Sequence, residues 1–168
     1  STQEHVLLRD VREQIAILKT GDMAALRRMS AASAGGSAFW RLLPETAHPD
    51  SEVGWATVMS GMARTAGQHD PTVPAGRALA LAGVSEMRLQ RLLESNGASL
   101  HDQVRQLTSI LESKNQRIDW SGLAQLVLWT AGDFATSIRR TIARDYYREH
   151  GSKHEGERKP SDSKEESR

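Results

Sequence analysis

Residues 120–129, WSGLAQLVLW, would be apolar nearly all the way round if coiled into a helix. A helix without a polar face cannot lie at a surface, so this one is expected to be the central buried helix, with Asp119 as its cap. The rest of the chain supplies its neighbours. Nothing alternates convincingly with period two, whereas apolar spacings of three and four recur along the sequence, which makes the fold class all-α.

The first helix is expected over about Glu4–Lys19, striped by Val6, Leu7, Val11, Ile15 and Leu18 and stopped at Gly21. GDMAALRR gives a short helix, Gly35 and Gly36 a break, and SAFWRLLP a helix closed at Pro44. Residues 51–66 form the next helix around Trp55, Val58, Met59 and Met62, and QHDPTVPAG reads as a loop. Ser85 can cap EMRLQRLLES. Ser99 and Asp102 resemble a capping box that opens a helix striped by Leu100, Val104, Leu107 and Leu111. The last helix, DFATSIRRTIARDYYREHG, is expected to end at Gly151.

At 168 residues the chain is long enough for one hydrophobic core and too short for two. Residues 1–150 are therefore read as a single-domain helical bundle. Residues 151–168 contain no large apolar side chain and balance five basic against five acidic groups, so they read as a disordered C-terminal tail. There is no cysteine, which excludes a disulfide framework and a thiolate nucleophile and fits a reducing, cytoplasmic setting. The first twenty residues are interrupted by charges throughout, so neither a signal peptide nor a membrane span is expected.

The formal net charge of +1 is uninformative as a sum, but its distribution is not. Residues 1–150 carry 17 basic and 16 acidic groups, and 15 of the 17 are arginine, whose planar fork of donors suits phosphate and carboxylate. On the last helix Ala131, Phe134, Ala135, Ile138 and Ile142 share one face, and Arg140, Arg144 and Arg148 form an i, i+4, i+8 row on the opposite one. Like charges at that spacing cost roughly 0.2–0.5 kcal/mol per pair unless an acid compensates. Arg140 and Arg144 have no acid three or four residues away, and Arg148 has only Asp145. Arg27 and Arg28 likewise have none, and of Arg88 and Arg91 only Arg91 has one, Glu94. These three clusters, Arg27/Arg28, Arg88/Arg91 and Arg140/Arg144/Arg148, are the candidate nucleic-acid-binding residues, because each neutralised phosphate releases counterions. The competing reading pairs them with tertiary acids such as Asp22, Glu45 or Asp133.

Trp40, Trp55, Trp120 and Trp129 fall at apolar periodic positions and are expected in the core. Tyr146 and Tyr147 flank the arginine row, where one of them can stack an unpaired base. Catalytic chemistry has little support. The dipeptides His69-Asp70 and His101-Asp102 resemble the pair used by helical HD-type phosphohydrolases, but the first precedes Pro71 in a loop and the second reads as a helix start. No metal-binding spacing, Gly-rich phosphate loop or catalytic triad order accompanies them, so no enzyme, metal, cofactor or small-molecule substrate is expected. A rival function is a sequence-specific helix-turn-helix regulator. RALALAGVSEMRLQRLL, residues 77–93, reads as helix, AGVS turn and a second helix exposing Arg88 and Arg91, although Leu79 stands where that motif prefers a small residue.

Several segments taken in order, GDMAALRRMS, AFWRLLP, the helix around Trp55, MRLQRLLES, IDWSGLAQLVLW and the closing arginine helix with its YY pair, resemble the CasB family. That family is the small subunit of the type I-E CRISPR interference complex, Cascade, and the resemblance covers about residues 4–150. The family's last helix often carries a further tryptophan near the place of Ile142. The resemblance implies a non-enzymatic, all-helical subunit, present in two copies beside the large and backbone subunits. Such a subunit helps hold guide RNA, target DNA and the displaced strand of the R-loop, while base pairing reads the sequence.

Overall fold

The computed structural model describes residues 2–30 and 36–157. These residues form nine α-helices and two short 3-10 turns: α1 (Thr2–Ala16), α2 (Thr20–Arg27), α3 (Ser37–Leu42), α4 (Glu52–Arg64), α5 (Ala75–Leu81), α6 (Glu86–Glu94), α7 (Gly97–Ser113), α8 (Ser121–Leu128) and α9 (Gly132–Glu157). Among the described residues no strand forms, and the only β contact is an isolated bridge between His69 and Ile118. The all-α class is as the spacing predicts.

The centre belongs to α4. Every residue from Gly54 to Ala63 is buried, and the helix packs against α1, α2, α7 and α8. Small residues make this possible: Gly54, Ala56, Thr57, Ser60, Gly61 and Ala63 let neighbouring helices approach from several directions, and they also mute the apolar signal of the segment. The hydroxyls at the centre are satisfied locally. Thr57 donates to the Val53 carbonyl, and Thr65, just past the helix, donates to that of Gly61. The expected central helix, α8, is indeed buried from Leu123 to Val127, but Ser121, Gly122 and Leu128 are half-buried. Asp119 holds its entry by accepting the Ser121 N–H at 3.0 Å.

Helix ends depart from the sequence reading in three places. The first helix ends at Ala16, short of the expected Lys19, the expected short second helix starts at Thr20, and the buried stripe of α1 is Leu8, Val11 and Ile15 rather than one containing Val6, which is exposed. α7 begins at Gly97, so Ser99 and Asp102 lie inside its first turns and form no capping box. α9 does not end at Gly151 but continues to Glu157: Gly151 stays out of the left-handed region that closes helices, and an interior glycine costs a helix only about 1 kcal/mol. Residues 151–157, expected in the tail, thus continue α9, and 158–168 lie outside the described residues.

Candidate nucleic-acid interface

The long α9 is fixed to the bundle along its apolar face. Ala135, Ile138, Ile142 and Tyr146 are buried, and α5 crosses so near that Gly76 leaves no room for a side chain against the Ile142 carbonyl. Three polar ties add to this. Arg139 donates from Nε to the Leu93 carbonyl at 3.1 Å and from one terminal nitrogen to Ser95 O and Asn96 Oδ1, both at 3.2 Å. It thereby satisfies carbonyls left open at the carboxyl end of α6. Near the other end His150 meets Glu86, the first residue of α6, at 3.3 Å, and Glu149 pairs with Arg77 at 3.4 Å. α6 is therefore held beside α9 at both of its ends.

With its apolar face and Arg139 committed, α9 turns Arg140, Arg144 and Arg148 to solvent, and all three are exposed. Arg140 and Arg148 have no acidic partner among the described residues. Asp145, which the i−3 spacing offers to Arg148, instead lies 3.7 Å from Arg144, a long and half-exposed pair that contributes little. Asp133, Thr136, Ser137 and Thr141 share this surface with Arg140 and Arg144. The sequence reading named the arginines and missed the hydroxyls, although the same 100° steps place them there.

Arg88 and Arg91 are exposed on α6. The preceding turn is well built: Gly83 adopts φ +80°, its N–H reaches Ala80 O at 3.1 Å, and the Val84 N–H reaches Leu79 O at 3.0 Å, which closes α5 with a Schellman motif. Ser85 then caps α6 as expected by accepting the Arg88 N–H at 3.3 Å. Glu94 forms no pair with Arg91, one of whose terminal nitrogens rests 3.5 Å from the Met87 sulfur. The helix, turn and helix of residues 77–93 thus exist, but the first helix is buried under α9.

Arg27 and Arg28 lie on the other side of the bundle, since α2 rests on α3 and α4 whereas α9 rests on α5 and α8. The α6 and α9 clusters thus stand on helices tied to each other, and the α2 cluster stands on a helix packed elsewhere. The paired arginines also differ. Arg27 donates from Nε to the Ala63 carbonyl at 3.1 Å, while Arg28 is exposed and has no partner among the described residues. Asp22 does not compensate either of them but bonds Arg41 at 2.9 Å. Sequence reasoning passed over Arg105, whose guanidinium donates to Met29 O at 2.8 Å and Thr57 Oγ1 at 3.3 Å and stitches α7 to α2 and α4. Burial, and the Arg64 charge nearby, push its pKa down.

The aromatic expectations divide. Trp55 and Trp120 are core residues, and the Trp120 indole donates to Thr65 Oγ1 at 2.8 Å with its ring packed on Gly61. Trp40 is not: 51% of it is exposed, because Phe39 and not Trp40 takes the inward position of the short α3. Trp129 is half-buried. Of the tyrosines, Tyr146 is buried and Tyr147 exposed. The His-Asp pairs serve structure: Asp70 accepts the N–H and hydroxyl of Thr72 in a tight turn, and Asp102 is an exposed residue of α7. Among the described residues no group of three or more His, Asp or Glu side chains converges as a metal site, and no helix is long and apolar enough to cross a membrane.

Comparison with known proteins agrees with the fold. No curated protein matches the sequence. A subunit in the crystal structure of Escherichia coli Cascade bound to a PAM-containing double-stranded DNA target is similar in fold, with a TM-score of 0.66 at 20% identity over 86% of this chain and 96% of that one. CasB from Thermobifida fusca superposes with a TM-score of 0.60 at 16% identity, over 87% of this chain and 96% of its own. The family model of CRISPR-associated protein Cse2 matches residues 22–147, which span α2 to all but the end of α9, and the chain belongs to that family.

Proposed function

We propose that this protein is the small subunit of a Cascade-type RNA-guided complex in CRISPR defence, and that it holds nucleic-acid backbone through arginines without reading sequence. Its family is non-catalytic, so the chain is not an enzyme and no reaction is assigned to it. The observation that carries the reading is the division of labour among the arginines. Arg139, Arg105 and Arg64 are bonded into the fold, whereas Arg140 and Arg148 stand on an exposed face of α9 with no acid among the described residues to neutralise them. Like charges kept in a row at a cost to the helix suit a phosphate backbone as partner. Arg88 and Arg91 extend the face from α6, and Arg28, with the free terminal nitrogens of Arg27, offers a second contact region. The partners in this reading are guide RNA, target DNA with its displaced strand, the large and backbone subunits and a second copy of the chain, in the cytoplasm.

The test is binding of the complex assembled with R140A/R144A/R148A protein, measured from low to high salt. Each lost phosphate contact lowers the slope of log K against log salt by about 0.9 on duplex or 0.7 on single strands, so a change of about 2 on single strands is expected. A triple variant that matches wild type at every salt concentration sinks the reading for this face. Failed assembly with unchanged affinity for nucleic acid would instead assign the row to protein contacts.

A further inference from the structure

The exposed ring of Tyr147 lies on the arginine face of α9, within about 20° of Arg140 around the helix axis and about 60° of Arg144. It is 40% exposed, and its hydroxyl bonds nothing among the described residues. The ring is nevertheless not free to wander. It stands edge-to-face on Tyr146, with centroids 5.2 Å apart and planes at 86°. Tyr146 is itself fixed: fully buried, it donates its hydroxyl to the Val84 carbonyl at 2.6 Å and stacks on His150 at 5.3 Å and 18°. His150 is tied in turn to Glu86. An aromatic face is thus held out to solvent by a chain of contacts that ends in the α5–α6 turn, and it stands between Arg144 and Arg148 in sequence.

Trp40 is the more exposed aromatic, but its neighbour Arg41 is spent on Asp22, so it has no adjacent free cation to engage a phosphate. Tyr147 alone among the exposed aromatics combines a braced ring with unneutralised arginines on one helical face. We infer that Tyr147 is a stacking platform for an unpaired base, and that α9 binds single-stranded nucleic acid in preference to duplex, the arginines tracking the phosphates on either side of the stacked base. In a duplex both faces of each base are covered by its neighbours, so the ring has nothing to stack on. This rests on the backbone-binding reading proposed above, to which it adds the state of the strand.

The experiment measures affinity of the full chain for a random single-stranded DNA, the same sequence as RNA and the same sequence as duplex, over a salt series, for wild type, Y147F, Y147L and R140A/R144A/R148A. Y147L is expected to lose roughly tenfold on both single strands, to keep duplex affinity and to keep the salt slope. Y147F keeps the ring and should bind as wild type. Loss on DNA but not RNA, or the reverse, identifies which strand the platform serves. Unchanged single-strand affinity of Y147L overturns the inference, and the triple arginine variant then reports separately whether backbone binding survives. Equal losses on duplex and single strands overturn it too, since a surface shared by both is not a stack on a base. No binding by wild type at low salt overturns both readings for the chain and leaves the face to a protein partner.

Discussion

Gly76 of α5 and Ile142 of α9 touch backbone to backbone: a Cβ on Gly76 would overlap the Ile142 carbonyl oxygen and crowd the Tyr146 N–H. Two helices pass closer here than any side chain permits, and the arginine-bearing face of α9 is held in place by this crossing. Because the obstacle is backbone, it cannot swing aside. G76A is expected to cost about 3 kcal/mol in urea unfolding, whereas G67A, whose Cβ meets nothing, should stay within about 0.5 kcal/mol of wild type.

Arg139 and Arg140 are adjacent in sequence and opposite in role. R139A removes hydrogen bonds to Leu93, Ser95 and Asn96 and should destabilise the fold by about 1–3 kcal/mol while leaving the salt dependence of binding intact. R140A should move stability by less than about 0.5 kcal/mol and flatten the salt dependence. The two measurements made on the same pair of variants exchange their answers if the assignment is reversed.

Tyr146 gives an alkaline signature. Burial, with the Glu86 charge second, pushes its hydroxyl above the usual pKa of 10.0. Above that pH the unfolded chain releases the proton more readily than the folded one, so the native state is the one that binds more protons and stability falls as pH rises. Y146F should cost about 1–2 kcal/mol at neutral pH through loss of the Val84 hydrogen bond, and its gap to wild type should shrink above pH 10.

On the acid side His69 and His101 act together. Burial lowers both pKa values below 6.5, reinforced by Arg12 at His69 and by Arg105 at His101, while Asp119, Asp70 and Asp102 oppose it. The unfolded chain therefore takes up protons first as pH falls, and stability should decline from about pH 6.5 downward. The double variant H69Q/H101Q should show a flatter profile between pH 7 and 5 in thermal unfolding. A profile as steep as that of wild type would assign the acid sensitivity to other groups.

Trp40 offers a direct optical check. Trp55 and Trp120 are 3% exposed, so most of the fluorescence that acrylamide quenches should belong to Trp40 and half-buried Trp129. W40F is expected to remove much of the quenchable, red-shifted emission with little change in melting temperature. A large loss of stability would place Trp40 in the core after all.

The sequence by itself determined what depends on neighbours three and four residues away. The all-helical class follows from the spacing, the stripe Leu100, Val104, Leu107 and Leu111 is buried as drawn, Ser85 caps α6, and the exposed face carrying Arg140, Arg144 and Arg148 is fixed by angular placement on one helix. Family membership was legible in the same way, from the order of several moderate motifs. Tertiary structure decided whatever depends on a remote partner. Arg139 reaches carbonyls more than forty residues earlier in the chain, Asp22 chooses Arg41 over Arg27 and Arg28, and the Val84 carbonyl selects Tyr146 to be buried and leaves Tyr147 outside. Periodicity measures the amphipathicity of one helix, so it sees neither those partners nor the centrality of α4, whose glycines, alanines and hydroxyls count for little apolar area but let other helices close around it.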